Sequence, residues 1–252
     1  MTGVIVLRRV AVGRPRWQRT NFRGTTVSLT AGPAVAAGAL AGAAGAGVPG
    51  ALLCGGAAGA LGLYDDLYGD THARGLGGHA RALAQGRVTT GLVKLAGLVT
   101  AGAASSVLGG RRGVRVGADA ALVAGTANLV NLLDLRPGRA LKAVGTVGAV
   151  MAVAMPRADL APAAGVAACC VGVAAAAMPS DLAERAMIGD CGANALGAML
   201  GWTMASGLPT TGRRIALAAV IALTLASERV SFTGLIESTP WLRVLDEWGR
   251  AA

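Results

Sequence analysis

Residues 24–64 read GTTVSLTAGPAVAAGALAGAAGAGVPGALLCGGAAGALGLY, 41 consecutive positions without a charged side chain. A membrane-crossing helix needs about 20 mostly apolar residues, so this run is long enough for two spans with a turn near Val48-Pro49-Gly50. Further charge-free stretches follow at 95–110, 120–133, 143–156, 160–180, 191–212 and 215–227. The shorter ones complete a span if the helix tilts or if terminal Arg and Lys side chains snorkel to the headgroups. Composition agrees: 54% of the 252 residues are hydrophobic, 14% are charged and mean hydropathy is +0.57. An ordinary soluble domain is about 25% charged. Taking each stretch as a crossing predicts an all-α, polytopic transmembrane bundle of about eight or nine spans. Residues 1–252 then form a single integral membrane domain with a basic N-terminal segment, 1–23, and an amphipathic cytoplasmic tail, 228–252.

Small residues dominate the apolar count, with 39 Gly. Pairs such as Gly38 with Gly42, Gly55 with Gly59 and Gly197 with Gly201 suit close helix contact in lipid, although a chain this rich in Gly produces such pairs by chance. Residues 1–12, MTGVIVLRRVAV, are too short and too interrupted by Arg8 and Arg9 to span, and no small-residue cleavage site follows. They suit an interfacial or incomplete first helix, or a start that lies upstream.

If the chain crosses at each stretch, one face collects 17 of the 23 basic residues, which makes that face cytoplasmic by the positive-inside rule. The other keeps Arg111, Arg112, Arg115, Arg157, Arg213 and Arg214, and the RRGVR cluster is the exception to the rule. The net charge of +10 belongs beside anionic headgroups, and without an aromatic-rich basic fold nucleic acid is not an expected partner. Cys54, Cys169, Cys170 and Cys191 are expected to be small buried thiols, with Cys191 a weak alternative nucleophile. His72 and His79 lack a further Cys or His nearby in the sequence, so zinc is not expected.

Acids at the ends of the apolar stretches carry the chemistry. Asp65 and Asp66 close the second half of 24–64, with Asp70 just behind. Adjacent carboxylates need a cation to stay charged together, either magnesium or a set of Arg residues; solvated loop acids are the plainer alternative. Asn128, Asn131 and Asp134 recur every three residues and form one polar stripe on a helix, suited to a nucleotide or to interhelical hydrogen bonds. Asp190, in GDCGAN at 189–194, opens another apolar stretch as a helix cap or a ligand.

The stretches GLYDDLYGD at 62–70, NLVNLLD at 128–134 and MIGDCGANALG at 187–197, with DTHARGL at 70–76, together resemble the polyprenyl-phosphate N-acetylhexosamine-1-phosphate transferase family, which includes the phospho-N-acetylmuramoyl-pentapeptide transferases. The resemblance runs from about Asn21 to Glu228, and the tail SERVSFTGLIESTPWLRVLDEWGR at 227–250 stands where that family has a His-rich loop. It implies magnesium-dependent transfer of a sugar 1-phosphate from a UDP-N-acetylhexosamine to polyprenyl phosphate, releasing UMP for cell-envelope glycans such as peptidoglycan. Asp190 would be the metal ligand. Asp65 and Asp66 would serve the lipid phosphate, Asp134 would join them as a catalytic acid on the nucleotide side, and Asn128, Asn131, Arg74 and His79 would bind substrate. The implied setting is the plasma membrane, multi-pass, with membrane lipids around the protein, the active face cytoplasmic and a homodimer possible. Two alternatives remain: a family-derived protein that binds lipid phosphate or nucleotide without transfer, and a transporter with acid-lined access. The tail is expected to lay Phe232, Leu235, Ile236, Trp241, Leu242, Leu245 and Trp248 on lipid, with Arg243, Asp246 and Glu247 toward water, as an anchor or as a flap over the site.

Overall fold

The computed structural model describes residues 15–69, 75–155 and 158–250. The readings for 1–12, Asp70 and Arg74 fall outside these residues. A short hairpin, β1 (Gln18–Thr20) and β2 (Thr26–Ser28), is antiparallel with Arg19 opposite Val27. Eleven α-helices follow among the described residues: α1 (Ala31–Gly45), α2 (Pro49–Tyr68), α3 (Gly75–Ala84), α4 (Thr90–Leu108), α5 (Val114–Leu133), α6 (Arg139–Ala154), α7 (Ala161–Leu182), α8 (Gly189–Gly207), α9 (Thr210–Ser227), α10 (Phe232–Ser238) and α11 (Pro240–Glu247).

The expectation of eight or nine spans is overturned. Three of the described helices are long and apolar enough to cross a membrane: α4, α5 and the stretch Ala158–Leu182 that contains α7. A fourth arises only if α9 and α10, bent by 93°, form one broken span. Helix α1, at 15 residues, reaches about 22 Å against a hydrocarbon core of about 30 Å. Helix α8 is apolar for a different reason. It runs through the centre of the bundle, buried at nearly every position, and packs against α2, α5, α1 and α7. An uncharged Ala and Gly sequence suits a protein interior as well as it suits lipid, so counting charge-free stretches counts both. The all-α reading stands, with the hairpin added, and the long apolar helices mark a membrane-associated protein.

Glycine sets how closely α8 is held. A Cβ on Gly197 would lie 2.6 Å from Ala127 Cα, and one on Gly201 would lie 2.7 Å from Leu122 O, both on α5. Of the three pairs singled out above, this one brings two backbones together, as small residues at helix interfaces do. Leu122, Leu141, Leu196, Met199 and Leu200 fill the surrounding core. The break between α1 and α2 falls at 46–48, with Pro49 at the start of α2, where its missing N–H costs nothing.

Candidate active site

Helix α2 ends, α5 ends and α8 begins at the same end of the bundle, and a cleft of about 580 Å³ opens among them. Asp65, Asp66, Asn131, Asp134 and Asp190 all line it. Asp181, Glu184, Arg19 and Arg136 complete the charged wall.

The adjacent acids Asp65 and Asp66 face different partners. Lys94 Nζ, from the first turns of α4, donates to Asp65 Oδ2 at 2.8 Å and also to Asp190 Oδ2, so one ammonium joins two carboxylates. All three side chains are largely withdrawn from solvent, with 15%, 19% and 26% exposure for Lys94, Asp65 and Asp190. Asp66 turns the other way. Its Oδ1 accepts from the backbone N–H of Asp190 at 3.1 Å and its Oδ2 from that of Cys191 at 2.9 Å. A carboxylate from α2 thus caps the start of α8, satisfying unpaired amides at the positive end of the helix dipole.

The approach needs glycine at two places. A Cβ on Gly62 would lie 2.2 Å from Asp190 O, and Gly189 has φ +55°, with Asp66 Oδ1 2.9 Å from where its Cβ would be. The hairpin contributes as well: Arg19 donates to the backbone carbonyl of Asp66, and Asn21 to Glu184 Oε2.

These surroundings separate the acids electrostatically. Burial works against charge on Asp65, but the hydrogen bonds from Lys94 and Thr90 outweigh it and hold Asp65 below the usual carboxylate range. Burial, then the neighbouring Asp190 charge, push Asp66 up to about 7. Asp190 is raised by burial and by Asp65 against the pull of Lys94. Asp134 caps the end of α5 and is pushed well above the ordinary range, by burial first and then by Asp181, Asp190 and Asp66. Its Oδ2 is buried and has no hydrogen-bond partner among the described residues. A group of acids whose environments drive their protonation apart is characteristic of functional sites.

Other sequence candidates lie elsewhere. Asn128 is half-buried, one turn before Asn131 on α5, and is not part of the cleft wall. His79, on α3, is also outside it; its Nδ1 lies 2.8 Å from Thr89 Oγ1, the hydroxyl that caps α4 by accepting from Leu92 N–H. Cys191 is buried, and burial followed by Asp66 and Asp190 pushes its thiol up to about 12, which suppresses the nucleophilic thiolate. All four cysteines are free.

Lys94, Asp181, Glu184 and Arg136 belong to the site without a motif in the sequence that marks them as such, whereas Arg19 stands in the loop where the resembled family has a Lys. Asp181 carries the same signature as the others, an acid closing an apolar stretch. Lys94 stands a few positions inside the helix from its start, where a lone Lys among apolar residues marks a buried counter-charge. The tail also differs from expectation. Asp246 does not face water: it is 7% exposed and accepts from Arg139 Nε and Nη2 at 2.8 Å each, and Arg250 Nη2 makes an ion pair with its Oδ1 at 2.7 Å. Lys142 Nζ donates to the carbonyls of Leu245, Asp246 and Trp248. These bonds fasten α11 beside the start of α6, while Trp241, Leu245 and Trp248 remain exposed.

Among the described residues no three His, Cys, Asp or Glu side chains are grouped so as to hold a metal ion by themselves. What the site provides is a pair of carboxylates close enough to share one cation. Comparison of the chain with protein-family models, with curated proteins and with solved structures returns no match.

Proposed function

We propose that this chain is a membrane phosphoglycosyl transferase that moves an N-acetylhexosamine 1-phosphate from its UDP derivative to polyprenyl phosphate and releases UMP. The observation that carries the reading is the meeting of residues 65–69, 131–134 and 187–190 at one cleft, where Asp65 and Asp190 share a single cationic partner. Magnesium suits this donor pair, because it is usually held by one or two carboxylates together with substrate phosphates. Asp65 and Asp190 would hold it, and it would supply charge neutralisation for phosphoryl transfer.

The remaining steps fall to the chain itself. An oxygen of the lipid phosphate forms a bond to the sugar-bearing phosphorus, and the bond between the two phosphorus atoms' bridging oxygen and that phosphorus breaks, with UMP leaving on the electron pair. Asp65, kept ionised beside Lys94, serves the lipid phosphate by positioning it. Asp66 has both oxygens committed to the amides of α8, so it is a positioning residue. Asn131 and Asp134 face the cleft from α5 and suit the nucleotide, while Arg19 and Arg136 attract phosphate at its wall. The proposed setting is the plasma membrane, crossed by three or four spans, with the cleft on the cytoplasmic face. Arg19, Arg136 and Arg139 at that end accord with the positive-inside rule.

A second reading has its own support: Lys94 already occupies the space between Asp65 and Asp190, which suits a protein that binds lipid phosphate or nucleotide without transfer. Purified protein incubated with undecaprenyl phosphate and a panel of UDP-N-acetylhexosamines separates the two. The enzyme reading expects UMP release that depends on magnesium and falls sharply in Asp190→Asn. Absence of turnover with every donor, while radiolabelled polyprenyl phosphate is still retained, refutes it in favour of the binding protein.

A further inference from the structure

At the end of the bundle away from the cleft, a second charged group surrounds Asp119. Helix α5 runs about 30 Å from Val114 to the Asp134 end. Helix α8 leaves the cleft at Gly189 and delivers the chain to α9, whose first turns carry Arg213 and Arg214. The side chain of Asp119 is 3% exposed. Its Oδ2 accepts from Ser106 Oγ at 2.7 Å and lies 3.6 Å from Arg111 Nε and 3.7 Å from Arg115 Nε. Those two distances are ion-pair contacts, longer than hydrogen bonds.

The group is therefore rich in unused donors. Among the described residues neither guanidinium makes a hydrogen bond, and Arg115 Nε is buried without an acceptor, as Asp119 Oδ1 is buried without a donor. On α9, Arg213 makes long contacts near its own helix start, 3.3 Å to Leu208 O and 3.4 Å to Thr210 Oγ1. Burial lowers the pKa of Arg111, and the charges of Arg115 and Arg213 push the same way against the pull of Asp119. Arg112 and Arg214 are exposed beside them. One carboxylate oxygen is shared between two guanidinium groups, those of Arg111 and Arg115. A buried, unpaired guanidinium N–H calls for an acceptor, and Arg matches the oxygens of a phosphate in bidentate fashion.

We propose that Arg111 and Arg115 form a binding site for a phosphate group, with Asp119 as the residue that holds the two Nε atoms in place. The ligand chemistry is a phosphate mono- or diester, supplied by an anionic phospholipid headgroup in the leaflet opposite the cleft or by free phosphate. This gives a reason for the RRGVR cluster on the face poor in basic residues. It is independent of any activity at the acidic cleft.

The test uses the full chain in nanodiscs of phosphatidylcholine alone, of phosphatidylcholine with phosphatidylglycerol, and of phosphatidylcholine with added inorganic phosphate. Thermal unfolding and native mass spectrometry of retained lipid are the readouts. For the wild type, phosphatidylglycerol or phosphate raises Tm, and which of them does so identifies the source. Arg111→Gln with Arg115→Gln loses that rise and weakens apparent affinity about tenfold or more. Because that variant strands Asp119, a triple variant that adds Asp119→Asn removes the buried charge and keeps the fold testable. Equal anion response in wild type and triple variant, or none in the wild type, overturns the proposal.

Discussion

Replacing Lys94 with Met removes the cation that Asp65 and Asp190 share. Breaking a fully buried ion pair costs about 3–5 kcal/mol, because the abandoned charge stays desolvated. Here the three side chains keep 15–26% exposure, so the cost is discounted for solvent screening to about 2–3 kcal/mol. For a chain of this length each kcal/mol corresponds to about 2–4 °C, so Tm falls by about 5–10 °C in chelator. A divalent cation able to take the vacated position reverses the loss. At a concentration near 100 times its Kd, binding returns about 2.7 kcal/mol, close to what the substitution removed. Differential scanning fluorimetry of wild type and variant, in EDTA and across a magnesium titration, measures both parts. The expected pattern is a large magnesium-dependent rise for Lys94→Met and a smaller one for the wild type, whose ammonium competes for the same oxygens. A variant as stable as the wild type in EDTA, or identical magnesium responses in the two, refutes the assignment of Asp65 and Asp190 as a shared cation site.

The tail latch should open in acid. Arg139 and Arg250 outweigh the burial of Asp246 and hold its pKa below the ordinary value, so the latch contributes stability above about pH 4, and loses it as pH falls through the depressed folded value. Tryptophan fluorescence from Trp241 and Trp248, with limited proteolysis of 228–250, should report release at low pH, and Asp246→Asn should show it already at neutral pH. Gly62→Ala places a Cβ 2.2 Å from Asp190 O, a backbone atom that cannot rotate away, and should cost about 1–3 kcal/mol while also displacing the carboxylate pair; unchanged Tm and unchanged magnesium response would count against the close packing of α2 on α8. Asp134→Asn should leave Tm equal or raise it, since burial and the neighbouring acids disfavour its charged form, while UMP release, if Asp134 serves the nucleotide, should fall. A substantial drop in Tm would show instead that the Asp134 charge is structurally compensated.

The acids of the cleft were legible as a group because each closes or opens an apolar stretch, a position that is costly without water or a counter-charge. Their division of labour was not legible. Asp65 and Asp66 are adjacent in sequence, yet successive side chains on a helix point about 100° apart, and only the docking of α4 and α8 on α2 decides that one meets Lys94 and the other the amides of Asp190 and Cys191. Asp246 shows the same gap. Its place on the polar side of an amphipathic helix predicted water, and the partner that buries it, Arg139, is 107 residues away in the chain.

What the sequence by itself determined is helical structure, association with a membrane, and a set of carboxylates at helix ends. Long uncharged stretches, punctuated by Pro, Gly and Asp, allow little else. The tertiary structure alone decided how many of those helices can cross a bilayer, and which side chains share a cation. Hydropathy measures the cost of leaving water, and that cost is nearly the same whether a helix enters lipid, as the outer faces of α4 and α7 can, or the protein interior, as α8 does.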